Sequence, residues 1–215
     1  MLKPYKKTIF LTTVVTALPM LLGVLLWNRL PDSIATHFDF NGVADGWSSK
    51  PFAVFALPGL LVGVHLLCTL GTLADPKRRN IQGKIFTMVL WICPLISLFT
   101  CGATYLYALG IPVDMSLLCG VLCGILFLIV GNYLPKCRQN YTVGIKLPWT
   151  LANEENWDRT HRLAGKLWMV GGLLMFTMPF WGKAGIWVFM ISIFAMVLVP
   201  TFYSYYLYSK CQKSS

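Results

Sequence analysis

Charged residues are scarce in this 215-residue chain, at 12%, and acidic ones are scarcer still, at eight. A soluble globular domain carries about 25% charge, so this supply does not clothe a surface in water. The scarcity also excludes an acidic or disordered tail, which needs blocks of like charge. Within the apolar runs ionisable side chains nearly vanish. His65 stands alone there, and Asp114 falls at the end of a run. Proton and ion relays place acids inside the membrane, and transporters place charged groups around broken helices at its midplane; neither pattern is present. Internal repeats are absent too, which removes solenoids and inverted-repeat carriers.

What is abundant is apolar sequence. Hydrophobic residues make up 56% of the chain and the mean hydropathy is +0.64. Several runs approach the ~20 residues a helix needs to cross a bilayer. Six spans are expected, at about Ile9 to Trp27, Phe52 to Leu73, Ile85 to Ala108, Met115 to Tyr133, Leu167 to Trp181 and Ile186 to Tyr206. All should be helical, because lipid offers no partner to an open backbone. Pro19, Pro58, Pro94, Pro179 and Pro200 shape such helices, with neighbours re-satisfying the carbonyls they free. The first run follows Lys3, Lys6 and Lys7 but ends in LLWNRL with no small-residue cleavage site, so it reads as an anchor and not a secretory signal.

Orientation follows from Lys and Arg. With the N-terminus inside, fifteen basic residues lie on the cytoplasmic side and three, Arg29, Lys50 and Lys183, outside. This is the positive-inside bias of a plasma-membrane protein with both termini cytoplasmic. It accounts for most of the net charge of +10, so no nucleic-acid partner is needed to explain it. No cysteine falls outside, and no disulfide is expected. Cys119 and Cys123 share a helix face, but without nearby His or carboxylate they read as packing.

Two polar segments carry the remaining information. The outer loop, residues 29–51, contains LPDSIATHFDFNGVADGWSSKP. Ile34, Thr36, Phe38 and Phe40 alternate with Ala35, His37 and Asp39, and Asn41-Gly42 then supplies a hairpin turn. His37, Asp39 and Asp45 have the atoms to hold a cation, but His-x-Asp with a distant Asp recurs by accident, and no metal is assigned. One reading is a self-satisfying cap, with Asp and Asn bonding turn amides. The other is a ligand-binding face comprising His37, Asp39, Asn41, Asp45 and Trp47, with Phe38 and Phe40 as further apolar anchors.

The inner loop, residues 134–166, begins where Pro135 stops the fourth span. Asn153 followed by Glu154 and Glu155 reads as a helix N-cap with acids in the first turn. Glu155 to Arg159 and Asp158 to Arg162 are i, i+4 pairs with the acid leading. Trp157, His161, Ala164 and Trp168 recur on another face. The spacing predicts an amphipathic helix along the membrane surface that bends into the fifth span. Lys146, Trp149, Glu154, Trp157, Arg159, His161 and Arg162 are the candidates for a cytoplasmic docking surface.

GNYLPKCRQNYTVGIKLPWTLANEENWDRTHRLAGKLW, Gly131 to Trp168, resembles the signature of the SdpI family, bacterial membrane immunity proteins against a secreted sporulation-delaying peptide toxin. The resemblance rests on Asn-Tyr-x-Pro-Lys, Gly-Ile-x-x-Pro-Trp-Thr-Leu and Trp-x-x-Thr-His-Arg. The outer LPDSIATHFDFNGVADGWSSK is similar to the domain that commonly precedes it, and together the two cover nearly the whole chain. Lys146-Leu147 stands where the family usually shows Arg-Thr, and Gln139 where Pro is common. Lys does not reproduce the bidentate contacts of Arg, which puts any anion clamp there in question. The resemblance implies toxin resistance, with a secreted peptide toxin and a cytoplasmic transcriptional repressor as partners beside the lipid bilayer.

A rival reading comes from Glu154-Glu155-x-x-x-Arg159, which fits the Glu-Glu-x-x-x-Arg motif of CAAX-type intramembrane proteases, where a Glu activates water. That chemistry needs histidines nearby. The only His-x-x-x-Asn, His37 to Asn41, lies across the membrane in this topology. A small-solute or peptide transporter is the third reading. The expectation is therefore an all-α polytopic membrane protein with six transmembrane helices, a small extracellular hairpin-like cap and a cytoplasmic amphipathic surface helix. Residues 1–113 form an N-terminal membrane region with spans 1 to 3, and 114–215 an SdpI-like region with spans 4 to 6. No catalytic residue, metal or cofactor is assigned, and no enzymatic activity is expected.

Overall fold

A computed structural model describes residues 2–213. Its helices are α1 (Leu2–Leu25), α2 (Leu57–Ala74), α3 (Lys84–Ala108), α4 (Met115–Tyr133), the short α5 (Pro148–Ala152), α6 (Glu154–Thr177) and α7 (Gly185–Lys213). A two-stranded antiparallel sheet, β1 (Ser33–Phe38) and β2 (Ala44–Ser49), lies between α1 and α2 in sequence. The chain is an all-α polytopic membrane protein with this hairpin added. Five segments are long and apolar enough to cross a bilayer: Pro4–Leu25, Phe52–Ala74, Lys84–Ala108, Met115–Lys136 and Gly185–Gln212.

The expected fifth span differs from this set. The surface helix and the span do not meet at a bend; α6 runs unbroken through both, from Glu154 to Thr177. Its charged first half lowers the hydropathy, and its apolar part, 167–177, rises only about 16 Å. The 3₁₀ segment Met178–Ala184 follows directly but breaks at Gly182, whose φ is +51°, so it does not prolong the helix axis to the ~30 Å of a hydrocarbon core. Continuity has a packing cause. Gly165, at the junction, lies so close to α4 that an added Cβ would stand 2.7 Å from the Gly131 carbonyl and 2.5 Å from the Pro135 ring.

By compactness the chain forms two units, 1–70 with 87–122, and 71–86 with 123–215. The dividing lines fall within α2, α3 and α4. In the first unit Pro19 lies inside α1, and α3 supplies partners to the carbonyls around it. The Ser97 hydroxyl donates to Thr16 O at 2.7 Å and Tyr105 OH to Pro19 O at 3.1 Å. His65 on α2 meets the Thr12 hydroxyl of α1 through Nε2 at 3.2 Å, the helix-to-helix bond open to a lone intramembrane histidine. Leu30, Ile34, Ala53, Val54, Cys101 and Tyr105 form a core under the hairpin. In the second unit α4 and α6 cross at glycines: a Cβ on Gly124 would lie 3.0 Å from Gly172 O, and one on Gly131 would lie 2.8 Å from the Met169 nitrogen. Small residues let backbones approach where lipid gives helices no hydrophobic drive to associate.

Candidate functional site

The hairpin forms where the Asn-Gly signal predicts it. Ser33 pairs with Ser49, Ala35 with Trp47 and His37 with Gly46, with irregular register around Thr36 and His37. Gly46 is required by packing, since a Cβ there would lie 2.9 Å from that of His37. The five-residue turn is organised by Asp39. Its Oδ1 accepts the Asn41 and Val43 amides at 2.9 and 2.8 Å, and its Oδ2 accepts Asn41 Nδ2 at 3.0 Å. The Val43 amide, chief among these donors, holds the Asp39 carboxyl below its usual range. Gly42 takes the left-handed φ of 78° that closes the turn.

Asp39 and Asn41 are therefore turn builders, and the carboxylate does not converge with the other acids. His37 Nδ1 instead pairs with Asp45 Oδ1 at 2.5 Å, both side chains largely exposed. Trp47, Phe40 and Val43 are exposed at 58%, 56% and 61%, which leaves an apolar rim on a polar turn. Phe38 is anchored edge-on to Tyr107 of α3, centroids 5.0 Å apart. At the base, Lys50 pairs with Asp32 at 3.0 Å and lies over the Trp27 ring.

The inner loop is built around a buried polar network of which sequence reasoning saw only part. Asp75 is 3% exposed. Its carboxylate accepts the Lys77 amide at 2.7 Å, the Tyr141 amide at 2.9 Å and the Thr142 hydroxyl at 2.6 Å. Asn80 Nδ2 donates to Gln139 O at 2.7 Å, and Lys77 bonds the Gln139 amide oxygen. Gln139 Nε2 in turn donates to the carbonyls of Thr150 and Leu151. Gln139 thus bridges two loops. Asn140, wholly buried, donates to Arg138 O and Val143 O and accepts the Thr142 and Val143 amides.

Trp157 and His161 belong to this interior. Both are fully buried and stack with centroids 4.0 Å apart. Trp157 Nε1 donates to Cys137 O at 2.7 Å. His161 Nδ1 lies 2.8 Å from Trp157 O, an obligate acceptor, and Nε2 receives the Ile145 amide at 2.9 Å. These partners fix a neutral ring with its proton on Nδ1. Burial pulls its pKa down from 6.5. Burial likewise pushes the Cys137 thiol up to about 11. The docking expectation is corrected for these two: the near-helical spacing that marked a face marks the inward one, and neither ring offers surface to a partner.

The other inner candidates are on or near the surface. Lys146, Glu154, Arg159 and Arg162 are exposed, and Trp149 is half-buried. Lys146 Nζ donates to Thr142 O at 3.0 Å. The Asn153 side chain caps α6 through the Asn156 amide, as predicted. Glu155 meets Arg159 at 3.3 Å, whereas Asp158 and Arg162 do not come within ion-pair distance. The Tyr203 hydroxyl, ahead of Glu155, raises the Arg159 pKa further. Trp149 Nε1 donates to Ser204 Oγ and Asn156 Nδ2 to Ser204 O, which fastens α5 and α6 to α7. Beside this junction lies a groove of about 440 Å³ lined by residues that include Trp149, Glu155, Arg159, Tyr208 and Lys210. Glu154 and Glu155 face solvent at the first turn of α6, and His161 has both nitrogens engaged elsewhere, so the histidine nearest the Glu-Glu motif does not serve it.

Comparison with known proteins matches both polar segments. Residues 136–204 fit the SdpI/YfhL protein family, and residues 14–62 a domain of unknown function, DUF1648. The immunity protein SdpI of Bacillus subtilis (strain 168) is 26% identical over 214 residues, covering 97% of this chain and 99% of that protein. No solved structure matches the chain. With a DUF1648 region on the hairpin side and an SdpI/YfhL region around the inner network, the chain is similar to the immunity protein SdpI along nearly its whole length.

Proposed function

We propose that this chain is a membrane immunity protein that protects its host cell against a secreted peptide toxin. The carrying observation is the near end-to-end similarity to an immunity protein, which takes in both the hairpin and the buried inner network. The toxin-facing element in this reading is the hairpin. Trp47, with Phe40 and Val43 beside it, gives an exposed apolar anchor next to the His37–Asp45 pair, while Asp39 and Asn41 hold the turn in shape. The chain crosses the plasma membrane six times with both termini cytoplasmic, and it catalyses no reaction. Toxin-sensitive cells expressing the chain should survive a candidate secreted peptide that kills the parent strain. Trp47→Ala, at matched membrane level, should lower the protective effect about 10-fold or more, as loss of an aromatic anchor does. Equal killing of cells with and without the wild-type protein, across the candidate peptides, would remove the immunity reading.

A second element of this reading is a relay to a cytoplasmic repressor, favoured by the exposed Lys146, Glu154 and Arg162 around the family signature. In membrane co-purification, Arg162→Ala should lose the repressor while toxin survival stays intact. Retention at the wild-type level would argue against the relay.

A further inference from the structure

Two polar connections of the second unit carry an unbalanced charge that neither toxin resistance nor a relay requires. Residues 75–84, DPKRRNIQGK, hold four cations and one acid, and residues 136–142, KCRQNYT, hold two cations and no acid. The buried network sets these segments side by side. Asn80 Nδ2 bonds the Gln139 carbonyl at 2.7 Å, which brings the preceding residues, Arg79 and Arg138, to one seam. Ile85 packs in one cluster with Cys137, so Lys84 comes to the same seam beside Lys136 and Arg138. Among the described residues none of the six cations lies within ion-pair distance of a carboxylate. Lys77, Arg78 and Lys136 bond only neutral groups: the Gln139 amide and Tyr141 ring, the Leu73 carbonyl, and the Asn132 amide and Tyr133 ring. The side chains of Arg79, Lys84 and Arg138 are exposed and have no bonded partner among the described residues. Asp75, the one acid, is 3% exposed and turned to three protein donors.

We infer that this seam is a selective site for an anionic phospholipid, whose phosphate is held by Arg79, Lys84 and Arg138. Depth decides that the anion is a lipid. Ala74, Lys84 and Lys136 are end residues of three segments long and apolar enough to cross a bilayer, so the seam stands at headgroup level whichever way the chain is oriented. Tyr133 and Tyr141 mark the same interfacial depth. Charge decides the lipid class. A zwitterionic headgroup would gain the phosphate contacts but would have to place its ammonium among cations, with no exposed carboxylate of either segment to receive it. A headgroup of net negative charge meets no such opposition. The network that joins the two segments holds the cations in place before a lipid arrives, which lowers the ordering cost of binding. Basic pockets at the ends of membrane helices bind lipid headgroups in general. The inference requires only that the chain reside in a bilayer and does not depend on the immunity reading.

The test uses the full chain reconstituted into bilayers of equal phosphatidylcholine and phosphatidylglycerol, with retained lipid counted by native mass spectrometry. Wild-type protein should retain the glycerol lipid over the choline lipid by about 10-fold or more, since each basic residue near the surface is worth about 5-fold. Arg79→Gln with Arg138→Gln should bring the ratio to within about 2-fold of one, and Lys84→Gln alone should lower it about 5-fold. Lys6→Gln with Lys7→Gln removes as much charge from an exposed stretch at the start of α1 and should leave the ratio unchanged. Equal thermal unfolding of the variants checks that the fold is kept. Equal retention of the two lipids by wild-type protein would overturn the proposal. An equal loss in the Lys6 and Lys7 variant would do so too, because the preference would then belong to diffuse surface charge. Release of the lipid by inorganic phosphate would mark a site for free anions instead. Unchanged lipid retention in the Arg79 and Arg138 variant, with loss of a co-purifying protein, would mean that the seam holds a polypeptide and would equally reject the lipid.

Discussion

At the scale of single residues, His161 carries the clearest physical consequence. Its pKa is lowered by burial, so below the usual 6.5 the unfolded chain takes up a proton that the folded chain refuses. The unfolded state then binds more protons, and stability falls with falling pH from about 6.5 down to the lowered folded value. Thermal unfolding in detergent should therefore show a midpoint that drops as the pH falls below about 6.5, and His161→Gln, less stable overall, should lose much of that slope. Gly144 is the companion case. Its φ is +120° and an added Cβ would stand 2.4 Å from His161 Nε2, so Gly144→Ala should cost about 2 to 4 kcal/mol by the same measurement. Of these roles the sequence showed only the outline. Periodicity places Trp157 and His161 on one face of a helix but does not tell which face is covered. The covering groups, Cys137 and Ile145, approach through backbone atoms that no side-chain pattern reports. Asp75 gives no signal in the sequence for a similar reason: its partners Tyr141 and Thr142 lie more than sixty positions away.

Among the elements, the hairpin was the most legible, because its turn is encoded locally by Asn41-Gly42 and by an Asp whose bonds span four residues. The cap of α6 by Asn153 was legible for the same reason. The merging of surface helix and fifth span was not, since it depends on the crossing of α4 and α6. That crossing makes its own prediction. Gly131→Ala sets a methyl 2.8 Å from the Met169 backbone nitrogen, which has no rotamer to yield, and should destabilise the chain by about 1 to 3 kcal/mol. Gly71→Ala, with nothing within 4 Å of its new Cβ, should be neutral or slightly stabilising because Ala is the better helix former. Denaturant unfolding of the two variants compares them directly; equal losses would mean that close approach at Gly131 is not what the glycine supplies.

For the whole molecule, orientation is the proposal on which toxin and repressor roles depend. The buried thiol of Cys137, with its pKa pushed up to about 11, makes a poor reporter on either side of a membrane. Exposed Cys211 and an engineered Ser49→Cys on the hairpin serve better. An impermeant maleimide should label Ser49→Cys in intact cells and Cys211 only after permeabilisation, as fifteen basic residues against three demand. Labelling in the reverse order would put the hairpin in the cytoplasm. The unbroken α6 bears on mechanics as well as on span counting. It is 24 residues long, a shaft of about 36 Å, with its wet, charged end at the groove and its dry, apolar end leading into the 3₁₀ segment. A shaft with no joint cannot absorb a push at one end by flexing in the middle. Pivoted at its dry end, a tilt of about 10° would swing the wet end by roughly 6 Å, and Asn156, whose Nδ2 ties α6 to the Ser204 carbonyl of α7, would have to slide or let go.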